Sequence, residues 1–406
     1  MTMPKITITK QGGNLGRLAA NEDGVSALIL TGIAVAGQFD LGDIVGPLYQ
    51  IEDAEALGID AAYDTTNKVL AHKHISDFFE HAGAGKELYV MVLDEDITME
   101  DMADKTKAYA KHLLSTLQGK VRLLGITRVP PSAYAPTHTG QFDPDVWAAI
   151  TAAQELVDEE FTAHRPVSVI IEGRDFQGTP GSATDLRTLD APDCSVMIGA
   201  DPDISAVDAK YGGYAAVGIA LGRLAAIAVQ RNIGRVKDGA LTIDQISLSD
   251  ADELYLPASA HNDTDLDAMD TKGYIFFRRH VGKAGYYFNN DHTCVALTSD
   301  FAYIHLNRPI DKVCRLAREI FTEELLEDVE VSADGKLSPS VIKELQGNID
   351  NAVVREMIAN GELSDFYSYI DPDQDVLSSD EIEVQLNPTP KGMVNEVSVT
   401  VAYAAE

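Results

Sequence analysis

Apolar runs of strand length alternate with amphipathic segments of helix length through the first 230 residues. The runs at 25–32, 88–93 and 167–172 are rich in Val, Ile and Leu, and helix-length segments such as 145–163 lie between them. Runs of this length and composition favour buried strands, and strands that alternate with helices indicate an α/β layer. The pattern therefore predicts a sheet covered by helices.

Further elements complete this part of the chain. A Gly46-Pro47 turn is predicted to lead into a short helix at 52–57, and longer helices are predicted at 65–81, at 99–118 with Thr98 as the N-cap, and at 214–231. The remaining predicted elements are strands at 121–129, 195–199, 244–252, 274–279 and 286–288.

The last hundred residues change character and predict an α+β region. An amphipathic helix is expected at 309–327, and a second one begins at Ser338-Pro339 and ends at Gly361. After an acidic loop, alternating strands are predicted at 381–386 and 395–403, joined as a hairpin through 387–392. The apolar stripe of the second helix is expected to comprise Ile342, Leu345, Ile349, Val353 and Met357.

Both ends of the chain are short alternating strands reached through flexible segments. Such strands are marginal alone and need a sheet edge, which belongs either to their own chain or to a neighbouring subunit. For exchange between subunits, the predicted arm residues are Lys5, Ile6, Thr7, Ile8, Thr9, Val397, Ser398, Val399, Thr400 and Val401. The glycines Gly12, Gly13 and Gly16 predict an N-terminal hinge, and 371–380 a C-terminal hinge.

The charge balance excludes one class of partner. The chain has 64 acidic and 32 basic residues and a formal net charge of −32. Duplex nucleic acid is bound by Lys and Arg that neutralise phosphates, so we expect no nucleic-acid partner.

The longest apolar run, at 215–229, is interrupted by Gly218, Gly222 and Arg223, so we expect no membrane insertion. Three scattered cysteines and a start without an apolar signal core predict assembly in the cytoplasm.

No motif makes a positive case for catalysis. Glycines 12–16 follow too short a strand to cradle a phosphate, and the ten histidines are dispersed. Two runs of alternating aspartates, at 263–267 and 371–375, resemble only the first half of a calcium loop and favour acidic turns. We therefore predict no catalytic, cofactor or metal site, and a protein that is not an enzyme.

Two stretches resemble contractile tail sheath proteins. The N-terminal one runs from the strand at 25–32 through Gly46-Pro47 and the double phenylalanine at 78–79 to the strand at 88–93. The C-terminal one comprises GYYFNN at 285–290, SDFAYI at 299–304, and NRPIDKV at 307–313 with the helix that follows it. The chain is most similar to the divergent sheaths of Bacteroidetes-type phage-like systems. It departs from many sheaths after the central helix, where 231–239 is basic but 241–252 is not proline-rich.

The resemblance implies a structural subunit of a phage tail or contractile injection particle. Such subunits form stacked hexameric rings around an inner tube, contact baseplate and terminator proteins, and contract while their terminal arms complete the sheets of adjacent subunits. It also implies an inner domain formed by 1–32 and 244–406, with an outer α/β domain inserted at 33–243. The basic residues assigned to inner-domain helices or to the tube-facing surface are Lys312, Arg315, Arg318 and Lys343.

Two alternatives stay open from the sequence. One is a shell or surface-layer subunit that polymerises without contracting. The other is an α/β enzyme for a nucleotide or sugar substrate, which should have a polar pocket and a small defined oligomer. A sheath should instead form tubes with two lattice geometries.

Overall fold

The structure, a computed structural model, describes residues 22–177, 180–249, 263–395 and 397–402. The chain divides into two compact units, Met1–Asn307 and Arg308–Glu406. The predicted arm strand at 5–9 and the hinge glycines Gly12, Gly13 and Gly16 lie outside the described residues.

The first unit is built on a six-stranded sheet. Its strands are β1 (Ser26–Thr31), β2 (Ile44–Leu48), β3 (Leu88–Leu93), β4 (Leu123–Ile126), β5 (Ser168–Glu172) and β6 (Cys194–Met197). Their order is β2-β3-β1-β4-β5-β6, and all neighbours are parallel except β2 and β3. The order reverses at β1, so the topological switch point lies between β1 and β4. The predicted α/β layer is confirmed.

Helices and short strands complete the first unit. The helices are α1 (Ile51–Ala56), α2 (Ala61–Asn67), α3 (Ala71–Ala82), α4 (Met99–Ala103), α5 (Ala110–Thr116), α6 (Pro144–Thr162), α7 (Pro202–Ser205), α8 (Val217–Ala226) and α9 (Asp263–Thr271). Two short antiparallel pairs join β7 (Gly199–Ala200) to β8 (Ser247–Leu248) and β9 (Phe277–Arg278) to β10 (Tyr287–Phe288).

Helix α8 explains the long apolar run of the sequence, because it is buried along almost its whole length. It packs against α3 through two glycines. A Cβ atom at Gly222 would lie 2.5 Å from the carbonyl oxygen of Phe78, and one at Gly218 would collide with the carbonyl oxygen of His74. Gly218 and Gly222 therefore permit the close approach of two helix backbones.

Two predicted long helices are each divided in the structure. The segment at 65–81 is split between α2 and α3, because Lys68 adopts a left-handed backbone that ends α2. The segment at 99–118 is split between α4 and α5, because Asp104 is extended. Thr98 caps α4 as predicted, since its hydroxyl accepts a hydrogen bond from the backbone N–H of Asp101 at 3.1 Å.

Two local predictions of the first unit are wrong. Gly46-Pro47 is not a turn but lies inside β2, which pairs with β3 on one side only. Proline is tolerated there because an edge strand has one side without ladder hydrogen bonds. The aspartates predicted to form an acidic turn at 263–267 begin helix α9.

The second unit combines two long helices with a two-stranded sheet. Its elements are α10 (Ile304–Glu323, within which the division of the chain falls), α11 (Pro339–Val353), a π-helical turn (Val354–Ile358), β11 (Leu363–Ile370), α12 (Val376–Ser379) and β12 (Val384–Pro390). The predicted stripe of α11 is buried and packs against β11. Ser338 caps α11 as predicted, and Gly361 has a positive φ of 74° after the π-helical turn.

The strand pairing of the second unit differs from the prediction. β11 was not predicted, and it pairs antiparallel with β12 from Leu363 to Ile370. Residues 387–390, expected to form a hairpin loop, are the second half of β12, with Asn387 opposite Tyr367. The segment at 397–402 forms no strand in this chain.

The compact units also differ from the predicted domain boundaries at 32 and 243. β1 lies in the middle of the six-stranded sheet and pairs on both sides with strands of 33–243, so it is not separable from that segment. Residues 244–307 belong to the first unit. Which part of the chain lies inside or outside in an assembly stays a prediction.

Candidate assembly surfaces

The β11–β12 sheet has one covered face. Phe366 and Leu363 of β11 pack in one apolar cluster with Ile349 and Val353 of α11. The opposite face carries Tyr367 and Tyr369, which are half exposed, and across from them the polar side chains of β12. Buried and exposed residues therefore alternate along β11 as they do in a sheet that has one packed face and one open face.

The two outer edges of this sheet are not equivalent. At the β11 edge, the backbone N–H of Ser368 donates to Asp350 of α11 at 2.9 Å, and the carbonyl of Ser368 accepts from the side-chain amide of Gln346 at 2.9 Å. Helix α11 thus covers the β11 edge at its centre.

The β12 edge is open among the described residues. Because Ser368 directs its N–H and C=O away from β12, its antiparallel partner Leu386 directs its own N–H and C=O away from β11. By the same alternation, the backbone groups of Val384 and Pro388 also point away from β11. This edge therefore offers two N–H groups and three carbonyls to a further strand, and Pro388 sits where β11 needs no donor.

The C-terminal segment at 397–402 has the alternating pattern of a strand but belongs to no strand of the described residues. Val397, Val399 and Val401 are 74%, 76% and 89% exposed, and they alternate with Ser398 and Thr400. In an extended backbone the three valines lie on one side. Their exposure is unusual for β-branched apolar residues that would stabilise a sheet.

The predicted C-terminal hinge at 371–380 is wrong in its placement. This segment connects β11 to β12 and therefore lies within the hairpin that it was expected to move. It is also anchored, because the backbone N–H of Leu377 donates to Gly335 and Lys336 forms an ion pair with Asp373. The connector that precedes the exposed valines is 391–395.

The four predicted basic residues have different surroundings. Lys312 is largely buried and its ammonium lies 2.8 Å from a carboxylate oxygen of Glu362, so it stabilises the second unit and is not a surface cation. Arg315 is partly buried. Arg318 and Lys343 are exposed on α10 and α11.

The switch point of the six-stranded sheet, where an α/β enzyme would bind its ligand, is filled by the protein's own groups. The hydroxyl of Thr31 and the backbone of Val129 bond to each other in both directions, at 2.8 and 3.1 Å. The buried carboxylate of Glu172 accepts from the backbone N–H groups of Arg128 and Ala215 at 2.8 and 2.9 Å. Burial raises the pKa of Glu172 to about 7, against the opposing effect of Arg174.

Other polar groups are held by neighbours in the same way. His292 lies between Arg187 and Asp270 at 2.9 Å from each, and it is buried. A groove of about 560 Å³ along β2 contains Asp43 and Asp53, whose carboxylates already accept backbone hydrogen bonds.

In the described parts of the chain, no three His, Cys, Asp or Glu side chains cluster as metal ligands would. None of the helices there has the length and apolar character needed to cross a bilayer.

Solved structures share this fold over the whole chain. The helical sheath of the anti-feeding prophage in the contracted state matches with a TM-score of 0.64 at 14% identity, covering 99% of both chains. A chain of the 6-fold symmetrised baseplate of the same prophage matches at 0.61 and 13%, covering 100% of both. The contracted sheath complex of the extracellular contractile injection system PVC matches at 0.58 and 11%, covering 99% of this chain and 98% of that one. The predicted resemblance to sheath proteins is confirmed at the level of the fold.

The sequence comparisons give the family. No curated protein sequence matches the chain. The families described as DUF2586, N-terminal domain, and DUF2586, C-terminal domain, match residues 3–292 and 300–406, so they meet close to the division between the two compact units. The chain belongs to the DUF2586 family.

Proposed function

We propose that this chain is the subunit of a contractile sheath, which polymerises around an inner tube and contracts to drive that tube through a target envelope. The fold shared with two contracted sheaths supports this proposal. The observation that carries it is the pairing mismatch in the second unit. Among the described residues, the strand edge at β12 is open, and the strand-like segment at 397–402 belongs to no strand.

Strand exchange between copies resolves this mismatch. The valines of one copy add a strand beside β12 of another, and the backbone hydrogen bonds link subunits through many directional contacts that are lost only together. The N-terminal arm at 5–9 is proposed to add to the same mesh. The connector at 391–395 and the glycines Gly12, Gly13 and Gly16 then absorb the motion of contraction.

The remaining partners belong to the same proposal. Subunits stack as hexameric rings, assemble in the cytoplasm, and end in a tail or injection particle with a baseplate and a terminator. Arg318 and Lys343 are the exposed cations on α10 and α11 that we propose face the tube. Lys312 and Arg315 stay inside the unit or at its margin.

Electron microscopy of two matched variants tests the proposal. Val399→Asp places a charge on the exchanged strand, and Leu377→Asp makes the same change at an equally exposed apolar residue of α12. We expect wild type and Leu377→Asp to form tubes with two lattice geometries, and Val399→Asp to stay monomeric with an unchanged melting temperature. Tubes of normal length from Val399→Asp would contradict strand exchange, and a single lattice geometry under all conditions would favour a non-contractile shell.

A further inference from the structure

The β9–β10 hairpin ends in a basic tip. Between its strands lie Arg279, His280, Val281, Gly282 and Lys283, and the side chain of Val281 is completely exposed. Arg279 and Lys283 are exposed and form no ion pair within the described residues, while the guanidinium of Arg279 stacks over the ring of Tyr286 with 5.9 Å to its centroid. The tip thus presents free cations around an apolar residue.

A second basic segment lies against this hairpin. The backbone N–H of Leu241 donates to the carbonyl of Tyr286 at 2.8 Å, and a Cβ atom at Gly234 would lie 2.9 Å from the carbonyl oxygen of Phe288, so the segment 231–240 runs beside the hairpin. The two segments 231–237 and 278–283 contain six Lys or Arg residues and no acid. Arg231 and Arg235 are balanced by Asp238, and Lys237 is exposed.

This basic hairpin surface, residues 231–237 and 278–283, stands out because acids are twice as frequent as bases in the chain. Closing a hairpin requires neither an exposed valine nor unpaired cations on either side of it. A local concentration of cations on a strongly acidic chain indicates a surface that meets negative charge.

The chain itself carries a matching surface in its second unit. Residues 319–334 contain seven Asp or Glu residues and no Lys or Arg, and all but Glu324 of the seven are exposed. Within this acidic segment Leu325 and Leu326 are 67% and 103% exposed. Leu326 has a positive φ of 68°, which is a costly backbone conformation for a leucine.

We propose that the basic hairpin surface of one copy docks onto the acidic segment of a second copy, with Val281 against Leu325 and Leu326. This inference rests on the proposed polymerisation. The cations at the hairpin tip and all but one of the acids in the acidic segment are exposed, so both surfaces are accessible to a second copy. Because every copy carries one surface of each sign, the contact is head-to-tail and propagates through a lattice. It also supplies local attraction that offsets the repulsion of subunits charged at −32.

Charge reversal with a compensating change tests the contact. Arg279→Glu with Lys283→Glu reverses the hairpin tip, and Lys68→Glu with Arg355→Glu makes the same change in net charge at exposed cations elsewhere. We expect the tip variant to raise the concentration needed for polymerisation in sedimentation assays at least tenfold, and the control pair to change it less than threefold. Combining the tip variant with Glu323→Lys and Glu327→Lys should restore assembly to within threefold of wild type.

The outcomes separate this contact from the proposed function. If wild type forms tubes and the tip variant assembles like the control pair, the contact is wrong and the sheath proposal stands. If the tip variant is impaired but the acidic-segment changes do not rescue it, the tip contacts a different surface of the second copy and the proposal is overturned. Wild type that forms no polymer would overturn both. Unchanged melting temperatures exclude misfolding, and Arg279→Gln with Lys283→Gln repeats the test without added negative charge.

Discussion

The two compact units differ in where the hydrogen bonds of their sheets are completed. In the first unit six strands are covered by helices, and β6 continues into further backbone contacts with Ile275 and Cys294 of the same chain. In the second unit two strands share one packed face, and the β12 edge offers its N–H and C=O groups outward. Each unit has an edge strand that pairs on one side only, β2 in the first and β12 in the second, and we propose that β12 is the edge that a strand of another copy completes.

Closed and open edges have different consequences for assembly. A covered sheet is a rigid body that moves without changing its own structure, while an open edge is a template for another strand. A subunit that must change its lattice position without losing its neighbours needs both properties. In this chain the sheet covered by helices lies in the first unit, and the edge proposed to accept a strand lies in the second.

The largest expected effect tests whether the second unit is well packed despite its open edge. Replacing Lys312 by Met removes the cation that lies 2.8 Å from the buried carboxylate of Glu362, which we expect to cost about 3–5 kcal/mol in the free energy of unfolding. Lys343→Met, at an exposed position of the neighbouring helix, should change it by less than about 0.5 kcal/mol. Equal effects in urea denaturation would mean that the second unit is only loosely folded before assembly.

A somewhat smaller effect tests the tight packing of the first unit. Gly222→Ala forces a methyl group against the carbonyl of Phe78, and we expect a loss of about 3 kcal/mol. Gly347→Ala in α11 is the matched control, because the nearest atom to its added Cβ, in the side chain of Asn351, is 4.0 Å away. That change should stabilise the second unit by about 0.5–1 kcal/mol. A stabilising Gly222→Ala would show that α3 and α8 are not in close contact.

The pH dependence of stability tests the buried carboxyl group of Glu172. The pKa of Glu172 is raised from 4.5 to about 7 in the folded chain, so between these values the folded state holds a proton that the unfolded state has released. Its contribution to stability is therefore fully present below pH 4.5 and is lost as pH rises to 7. Glu172→Gln removes this dependence. The free energy of unfolding of the variant, relative to that of wild type, should therefore rise by on the order of 2 kcal/mol from pH 5 to pH 8. Parallel stability curves would contradict a buried, protonated Glu172.

The smallest effect on the single chain is expected at the open edge. Leu386→Pro removes an outward N–H of β12 without removing a hydrogen bond to β11, whereas Leu386→Thr keeps that N–H and loses similar apolar contact. Both variants should unfold within about 1 kcal/mol of each other. Only the proline variant should fail to form tubes. Equal assembly of the two would show that the β12 edge accepts no strand.

The sequence predicted the elements whose signals are local. The strands at 88–93 and 167–172 and the stripe of α11 follow from apolar periodicity alone, and their burial confirms it. The break at Lys68 was missed because a lysine in a left-handed backbone leaves no mark like that of glycine. β11 was missed because Asp365 and a bulge after Leu363 interrupt its alternation.

The character of the candidate site depended on contacts that a sequence does not display. The C-terminal strand pattern at 397–401 was visible, but its exposure was not. The cover that Asp350 and Gln346 place over the β11 edge joins residues of a helix to a strand that was not predicted. The basic hairpin surface likewise appears only when 231–237 and 278–283 are brought together by pairing at Leu241 and Tyr286.

The central claim is that the second unit is completed by a strand of another copy, and a cryo-EM reconstruction of tubes grown from the purified chain tests it most directly. The account predicts that residues 397–402 of one subunit lie antiparallel or parallel beside β12 of another, with the N–H groups of Val384 and Leu386 bonded across the boundary. A reconstruction in which the β11–β12 sheet remains two-stranded, or in which 397–402 pairs with its own chain, would contradict it.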